Sequence, residues 1–280
     1  MSSFSIGVLL DSFRVKTREA LRLAGKVGAR GVQIYSTTGD MAPEALTAQK
    51  RRELLDMVKS HGLTVSALCG DLGEGGFTNP EKNPLRIQRS KLILELAKEL
   101  ETDVVTTHIG VVPADKSHPR YGILQQACGE LAEYADSLGA HFAIETGPET
   151  SQTLKAFLDS LGSRGVAVNM DPANLVMVTG DDPAGAVYTL RDYIVHTHAK
   201  DGRRLYYRDP EEVYGLAESH IVVSPSYQEL PLGEGAVDWD AYLAALRDIG
   251  FGGFLTIERE VGDNPYGDIA RAVEFLKGKI

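Results

Sequence analysis

The run YIVHTHAKDG, residues 193–202, turns from apolar to ionisable within a few residues, and His196, His198, Lys200 and Asp201 stand at its end. Three other apolar runs end in a carboxylate: Glu145 in HFAIETG (141–147), Asp171 in VAVNMDPAN (166–174) and Glu258 in GFLTIERE (253–260). Three carboxylates brought together out of water repel one another, and desolvation adds to the cost. A divalent cation resolves both. Oxygen ligands with one neutral imidazole suit Mn2+ first, with Mg2+, Co2+ or Zn2+ as alternatives. Three carboxylates around a doubly charged ion leave it net negative, which favours a neutral sugar over a phosphate. His196 and His198 are two residues apart and share a side of their strand. His198 lies nearer the strand end and is the expected ligand, with His196 one layer deeper as a hydrogen-bonded core group.

Each of these residues also has a plain structural reading. Glu258 can form an ion pair with Arg259 or Lys200, and Asp171 can cap the turn DPAN. A lone Glu145 after HFAI would be costly to bury. Other polar groups end strands as well: Tyr35, Cys69, Asp71, Thr107 and His108. His108 is either a substrate contact or a satisfied core histidine, and Glu260 belongs to the rim.

For these groups to meet, their strands must be neighbours. Short β-branched runs recur eight times, at 5–10, 31–36, 64–70, 103–110, 141–147, 166–174, 193–201 and 253–260. They are nearly continuous rather than alternating, as in parallel strands covered on both faces. Helical patterns separate them, among them TAQKRRELLDMVKSHG after the second strand and SQTLKAFLDSLGSRG after the fifth, the latter with Ser151 as its expected N-cap. Eight βα units in 280 residues predict one (β/α)8 TIM barrel over residues 1–280. The first strand–helix turn, LLDSFRVK, lacks the glycine pattern of a dinucleotide-binding open sheet. Active sites of such barrels lie at the C-terminal ends of the strands, where the ionisable residues fall. The segment 202–230, with Tyr206, Tyr207, Tyr214, Tyr227 and His220, is a long connection expected to form a lid or binding loop.

A formal net charge of −10 argues against nucleic acid or an anionic membrane as partner. No apolar run reaches the roughly 18 residues of a membrane span. The start MSSFSIGVLLDSF carries no basic leader, so a cytoplasmic location is expected. Two cysteines, Cys69 and Cys128, are too few for a disulfide framework, and Cys128 reads as a helix core residue. The expected partner is a small sugar or polyol. A homodimer or homotetramer is compatible with the fold, though no residue marks an interface.

The ordered set Glu145, Asp171, His198 and Glu258, with the phrase LPLGEGAVDWDAYLAAL (230–246), resembles the xylose isomerase-like barrel superfamily, its ketose 3-epimerase and inosose dehydratase branch. The resemblance covers essentially the whole chain. It implies a metal held by those four residues, with Glu145 and Glu258 as the acid–base pair acting beside a chelated carbonyl through an enediolate. It also implies a substrate contact at Arg204, six residues beyond His198. The branch's histidine three residues after the metal-binding Asp is Asn174 here, and its second strand-five glutamate is Ser151, with Glu149 nearby but out of register. Tyr35, Lys200, Glu149 and Asn174 complete the candidate substrate-binding set. The implied activity is sugar isomerisation or epimerisation. The alternative is a lyase or dehydratase acting on a keto-sugar or inosose, keto-glycoside elimination included, and a non-catalytic sugar-binding barrel is the third reading. The branch of DNA-repair endonucleases would need a basic face and more histidines than the seven present.

Overall fold

The computed structural model describes residues 4–73, 75–218 and 224–280. Eight parallel strands close into a barrel: β1 (Ser5–Leu9), β2 (Gly31–Tyr35), β3 (Thr64–Cys69), β4 (Val104–Thr107), β5 (His141–Glu145), β6 (Val166–Met170), β7 (Ile194–Ala199) and β10 (Phe254–Ile257). Each strand pairs with its chain neighbour, and β10 closes on β1 with Ser5 opposite Phe254. All eight expected runs became barrel strands, each shorter than its apolar stretch, whose last residues belong to the segment above it.

The outer layer is α1 (Thr17–Val27), α2 (Ala48–Ser60), α3 (Asn83–Glu99), α4 (Pro119–Ser137), α5 (Ser151–Leu161), α7 (Pro183–Leu190), α9 (Trp239–Asp248) and α10 (Pro265–Lys277). Several of their starts are set by side chains that accept orphan amide protons: Thr47 for α2, Asp182 for α7, Asp238 for α9 and Asn264 for α10. Helix α5 corrects the expectation at Ser151. Thr150 is its N-cap, accepting from the Thr153 amide, and Ser151 is the first helical residue. No helix among the described residues is long and apolar enough to cross a membrane.

Two features depart from a plain barrel. After β6 the chain makes a single turn, α6 (Pro172–Asn174), then a π-helical turn over Leu175–Thr179. After β7 the connection expected to be an open loop contains structure: β8 (Asp201–Arg204) pairs antiparallel with β9 (Tyr227–Leu230), and a short helix α8 (Pro210–Val213) lies between them. His220 falls outside the described residues. Asp201 fixes the base of this hairpin. Its Oδ1 accepts from Gly202 N (2.8 Å) and Val237 N (3.2 Å), and its Oδ2 from Gly233 N (2.8 Å) and Trp239 Nε1 (2.9 Å). A Cβ on Gly235 would lie 2.0 Å from Asp201 Oδ1, so the glycine-rich stretch before α9 is shaped to this carboxylate.

The strand registers shift at two places, between Val32 and Gln33 against β3 and between Val168 and Asn169 against β7. Irregularities of this kind re-aim side chains near active sites. Both shifts precede an amide side chain, Gln33 or Asn169, that is buried inside the barrel.

Candidate active site

Glu145, Asp171, His198 and Glu258 rise at the C-terminal ends of β5, β6, β7 and β10, four consecutive staves. One ligand atom from each lies within 4.8 Å of all the others. His198 Nδ1 is 3.5 Å from Glu145 Oε1, 3.4 Å from Asp171 Oδ2 and 3.3 Å from Glu258 Oε2. Metal–ligand bonds of about 2.0–2.2 Å place adjacent donors about 3–3.6 Å apart, so the spacing is that of a coordination shell. Asp171 shows the fit most clearly. Its Oδ1 caps α6 by accepting from Asn174 N at 2.9 Å, while its Oδ2 is buried without a hydrogen-bond partner and faces His198 Nδ1. One oxygen of this carboxylate therefore caps the turn, and the other is left free to face the cluster. A buried acceptor left unpaired is costly unless something positive meets it. The oxygen-rich donor set suits a divalent cation of the Mn2+ or Mg2+ type.

The clustered side chains are held from behind. Glu145 accepts from Asn169 Nδ2 and Asn174 Nδ2, both at 3.0 Å, and His108 Nε2 is 3.5 Å away. Burial alone would raise the Glu145 carboxyl, but the His108 and His198 rings outweigh it and hold the pKa below the usual value. Glu258 pairs with Lys200 Nζ at 3.0 Å. Burial is again outweighed, here by Lys200 and His198, and the Glu258 carboxyl is depressed further. Lys200 also contacts Glu260, and Glu229 Oε2 lies 3.9 Å from its Nζ. These carboxylates overcome burial and keep the ammonium charged. Arg259 turns away from the site to Glu229 (2.7 Å) and Asp268 (3.3 Å).

His196 sits one layer below His198. Its Nδ1 donates to Asn169 Oδ1 at 2.8 Å, and its Nε2 accepts from the Thr256 hydroxyl at 3.0 Å. Burial, then the neighbouring His198, lowers its pKa to about 3, so it is a neutral structural histidine.

Above the four clustered residues is a cavity of about 210 Å³. Tyr35, Cys69, Asp71, His108, Asn174 and Lys200 contribute to its wall, together with Tyr214 from the connection after α8. The Cys69 sulfur, then burial, push the Tyr35 phenol far up, and burial takes the Cys69 thiol to about 12. The connection after β7 covers one side. Tyr214 packs on His108 with ring centroids 5.6 Å apart, and Glu211 on α8 is paired with Arg120 at 2.5 Å. Gly147, at φ +134°, lets Asn174 come close, since a Cβ there would lie 2.4 Å from Asn174 Cβ.

Two sequence candidates stand away from this wall. Arg204 is exposed on β8 and donates to the Thr179 carbonyl at 3.2 Å, closing the end of the π turn. Glu149 is buried, with Oε2 accepting from Val112 N at 3.0 Å and Oε1 unpaired. Burial raises its pKa to about 8 against that single hydrogen bond. Two residues without a sequence signal carry much of the site. Asn169 and Gln33 are neutral amides inside apolar runs, and only the barrel's closure brings them to Glu145 and His198.

The fold has counterparts among known proteins. A xylose isomerase domain protein from Planctomyces limnophilus is 25% identical, with a TM-score of 0.80 and coverage of 99% of this chain and 96% of its own. A D-tagatose 3-epimerase-like protein is 18% identical at a TM-score of 0.76, covering 99% and 97%. The probable 3-DHS dehydratase AsbF from Bacillus anthracis is 19% identical at 0.75, covering 98% and 99%. The last two likenesses concern the fold alone. The xylose isomerase-like TIM barrel family matches residues 21–279, nearly the whole length, and the chain belongs to that family.

Proposed function

We propose that this protein is a divalent-metal-dependent isomerase or epimerase of a neutral, monosaccharide-sized ketose or inosose. The observation that carries the reading is the convergence of Glu145, Asp171, His198 and Glu258 around one point, with Asp171 Oδ2 buried and unpartnered. The family includes sugar epimerases and a dehydratase among its structural relatives, which supports an enzyme of this chemical class.

Substrate charge and size follow from the walls. Asp71, Glu145, Asp171, Glu258 and Glu260 face a single ammonium, Lys200, and no arginine lines the cavity among the described residues. The site stays negative even with a divalent cation added, so a phosphate or carboxylate is repelled and a polyhydroxylated neutral molecule is accepted. About 210 Å³ is below the roughly 300–1,000 Å³ of drug-sized pockets and matches one sugar ring rather than a glycoside with a large aglycone.

A divalent cation held by the four ligands supplies Lewis-acid polarisation of a substrate carbonyl. The chain's own residues do the rest. Glu145 is ionised at neutral pH and oriented by two amides, so it can take the proton from the carbon beside the carbonyl. Glu258 stands across the cluster as a carboxylate, and a proton relayed through it from the charged Lys200 ammonium, 3.0 Å away, can reach the opposite face. Tyr214 and Val213 shield the enediolate from bulk water. A second reading, elimination, is favoured by one observation: the charged Lys200 ammonium lines the cavity 3.0 Å from Glu258 and can protonate a departing β-hydroxyl.

The test is isotope exchange. Mn2+-loaded protein incubated with a panel of neutral ketoses and inososes in heavy water should place deuterium on the carbon next to the carbonyl of one of them. Glu145→Gln should slow this by about 10²–10⁴-fold with the fold intact. An ultraviolet-absorbing enone in place of exchange would assign elimination. Full exchange activity in Glu145→Gln would remove it as the base.

A further inference from the structure

We infer that Gln33 is a positioning residue for the metal site: its Oε1 accepts a hydrogen bond from the Nε2–H of His198, keeping the proton on that nitrogen and leaving Nδ1 as the lone-pair donor facing the three carboxylates. This rests on the metal reading above and adds to it a residue on the opposite side of the barrel.

The geometry is specific. Gln33 Oε1 is 2.9 Å from His198 Nε2, a contact that spans the barrel interior from β2 to β7. The other ring nitrogen, Nδ1, is the one within 3.5 Å of Glu145, Asp171 and Glu258. A neutral imidazole has one N–H and one lone pair, and a metal takes the lone pair. Nδ1 can ligate only if the proton rests on Nε2, and a buried N–H there needs an acceptor. Gln33 Oε1 is that acceptor. The nearby Asn169 cannot serve, because the group it turns to the ring is its Nδ2, at 3.3–3.4 Å, and that amide donates to Glu145 Oε2.

The glutamine is itself oriented. Its Nε2 donates to the Thr106 hydroxyl at 2.7 Å, which points Oε1 at His198. The residue is 1% exposed, so water does not compete for either end. The register shift between Val32 and Gln33 against β3 lies beside this position, where the chain departs from even pairing to set the amide. Partners of this kind fix a ligating histidine's tautomer and ring angle, and removing one typically weakens metal affinity 10–100-fold.

The test compares wild type, Gln33→Met and Gln33→Glu by Mn2+ titration, with a proton NMR spectrum of each Co2+-loaded protein. Met keeps the length and removes the acceptor, whereas Glu restores an acceptor. Gln33→Met should bind Mn2+ about 10–100-fold more weakly and lose the slowly exchanging, hyperfine-shifted N–H signal of His198. Gln33→Glu should keep that signal and bind within a few-fold of wild type. Wild-type affinity and an intact N–H signal in Gln33→Met would overturn the assignment. If Gln33→Met does not fold, the wild-type Co2+ spectrum decides alone, because absence of a protected N–H on His198 contradicts the proposed tautomer. Failure of wild type to bind either ion would instead sink the metal reading, and this proposal with it.

Discussion

Replacing Lys200 by Met isolates the electrostatics of the site. The Lys200 side chain is 5% exposed, and its Nζ is 3.0 Å from Glu258 Oε2, whose side chain is 9% exposed. Met retains most of the apolar stem and removes the charge. Glu229 keeps Arg259 at 2.7 Å, and Glu260 is 62% exposed and largely solvated, so the loss falls mainly on Glu258. Stripping one partner from a buried ion pair costs about 3–5 kcal/mol. For a protein of this size that is roughly 6–20 °C in Tm. A divalent cation at the cluster compensates Glu258 in Lys200's place and binds only the folded state. Thermal unfolding in EDTA should therefore show the full deficit, and saturating Mn2+ should recover at least half of it. A deficit below about 1 kcal/mol in EDTA, or the same deficit with and without Mn2+, would refute the coupling between Lys200, Glu258 and the metal site.

Asp201→Asn puts an NH2 group opposite two of the four donors that now converge on the carboxylate. At about 1–3 kcal/mol for each orphaned buried donor, the urea midpoint should fall by the equivalent of about 2–6 kcal/mol; a loss under about 1 kcal/mol would show that the hairpin base does not depend on it. Glu149 has a folded pKa near 8 against an unfolded value of 4.5, so its contribution to stability is fully present below pH 4.5 and is lost as pH rises through 8. In metal-free protein the fall in Tm between pH 5 and pH 8.5 should thus be steeper in wild type than in Glu149→Gln, and parallel profiles would contradict the buried, protonated carboxyl.

The four-residue cluster was legible because each of its members ends an apolar strand, where a charge is conspicuous. Strand continuity also marked the barrel, since covered parallel strands have few polar interruptions. The hairpin β8–β9 was not legible for the converse reason. Arg203, Arg204, Tyr227 and Gln228 are exposed and carry no alternation that separates a strand from a loop. Arg204 was a candidate only by its spacing from His198, and the π turn before it offers the Thr179 carbonyl as a nearer partner. Gln33 escaped notice because an uncharged amide inside GVQIY reads as an ordinary strand residue. Its importance comes from a contact 165 positions away that only ring closure creates. Thr150 and Ser151 are chemically equivalent caps, so sequence could not choose between them. Asp201 reads as part of an ionisable cluster, but backbone direction after β7 turns it to the amides of the glycine-rich stretch.

The most direct measurement is an anomalous difference map from crystals soaked in Mn2+. One peak is expected about 2.0–2.4 Å from Glu145, Asp171 Oδ2, His198 Nδ1 and Glu258 together. A map with no peak between those four side chains, or with the manganese bound elsewhere, would contradict the shared metal site.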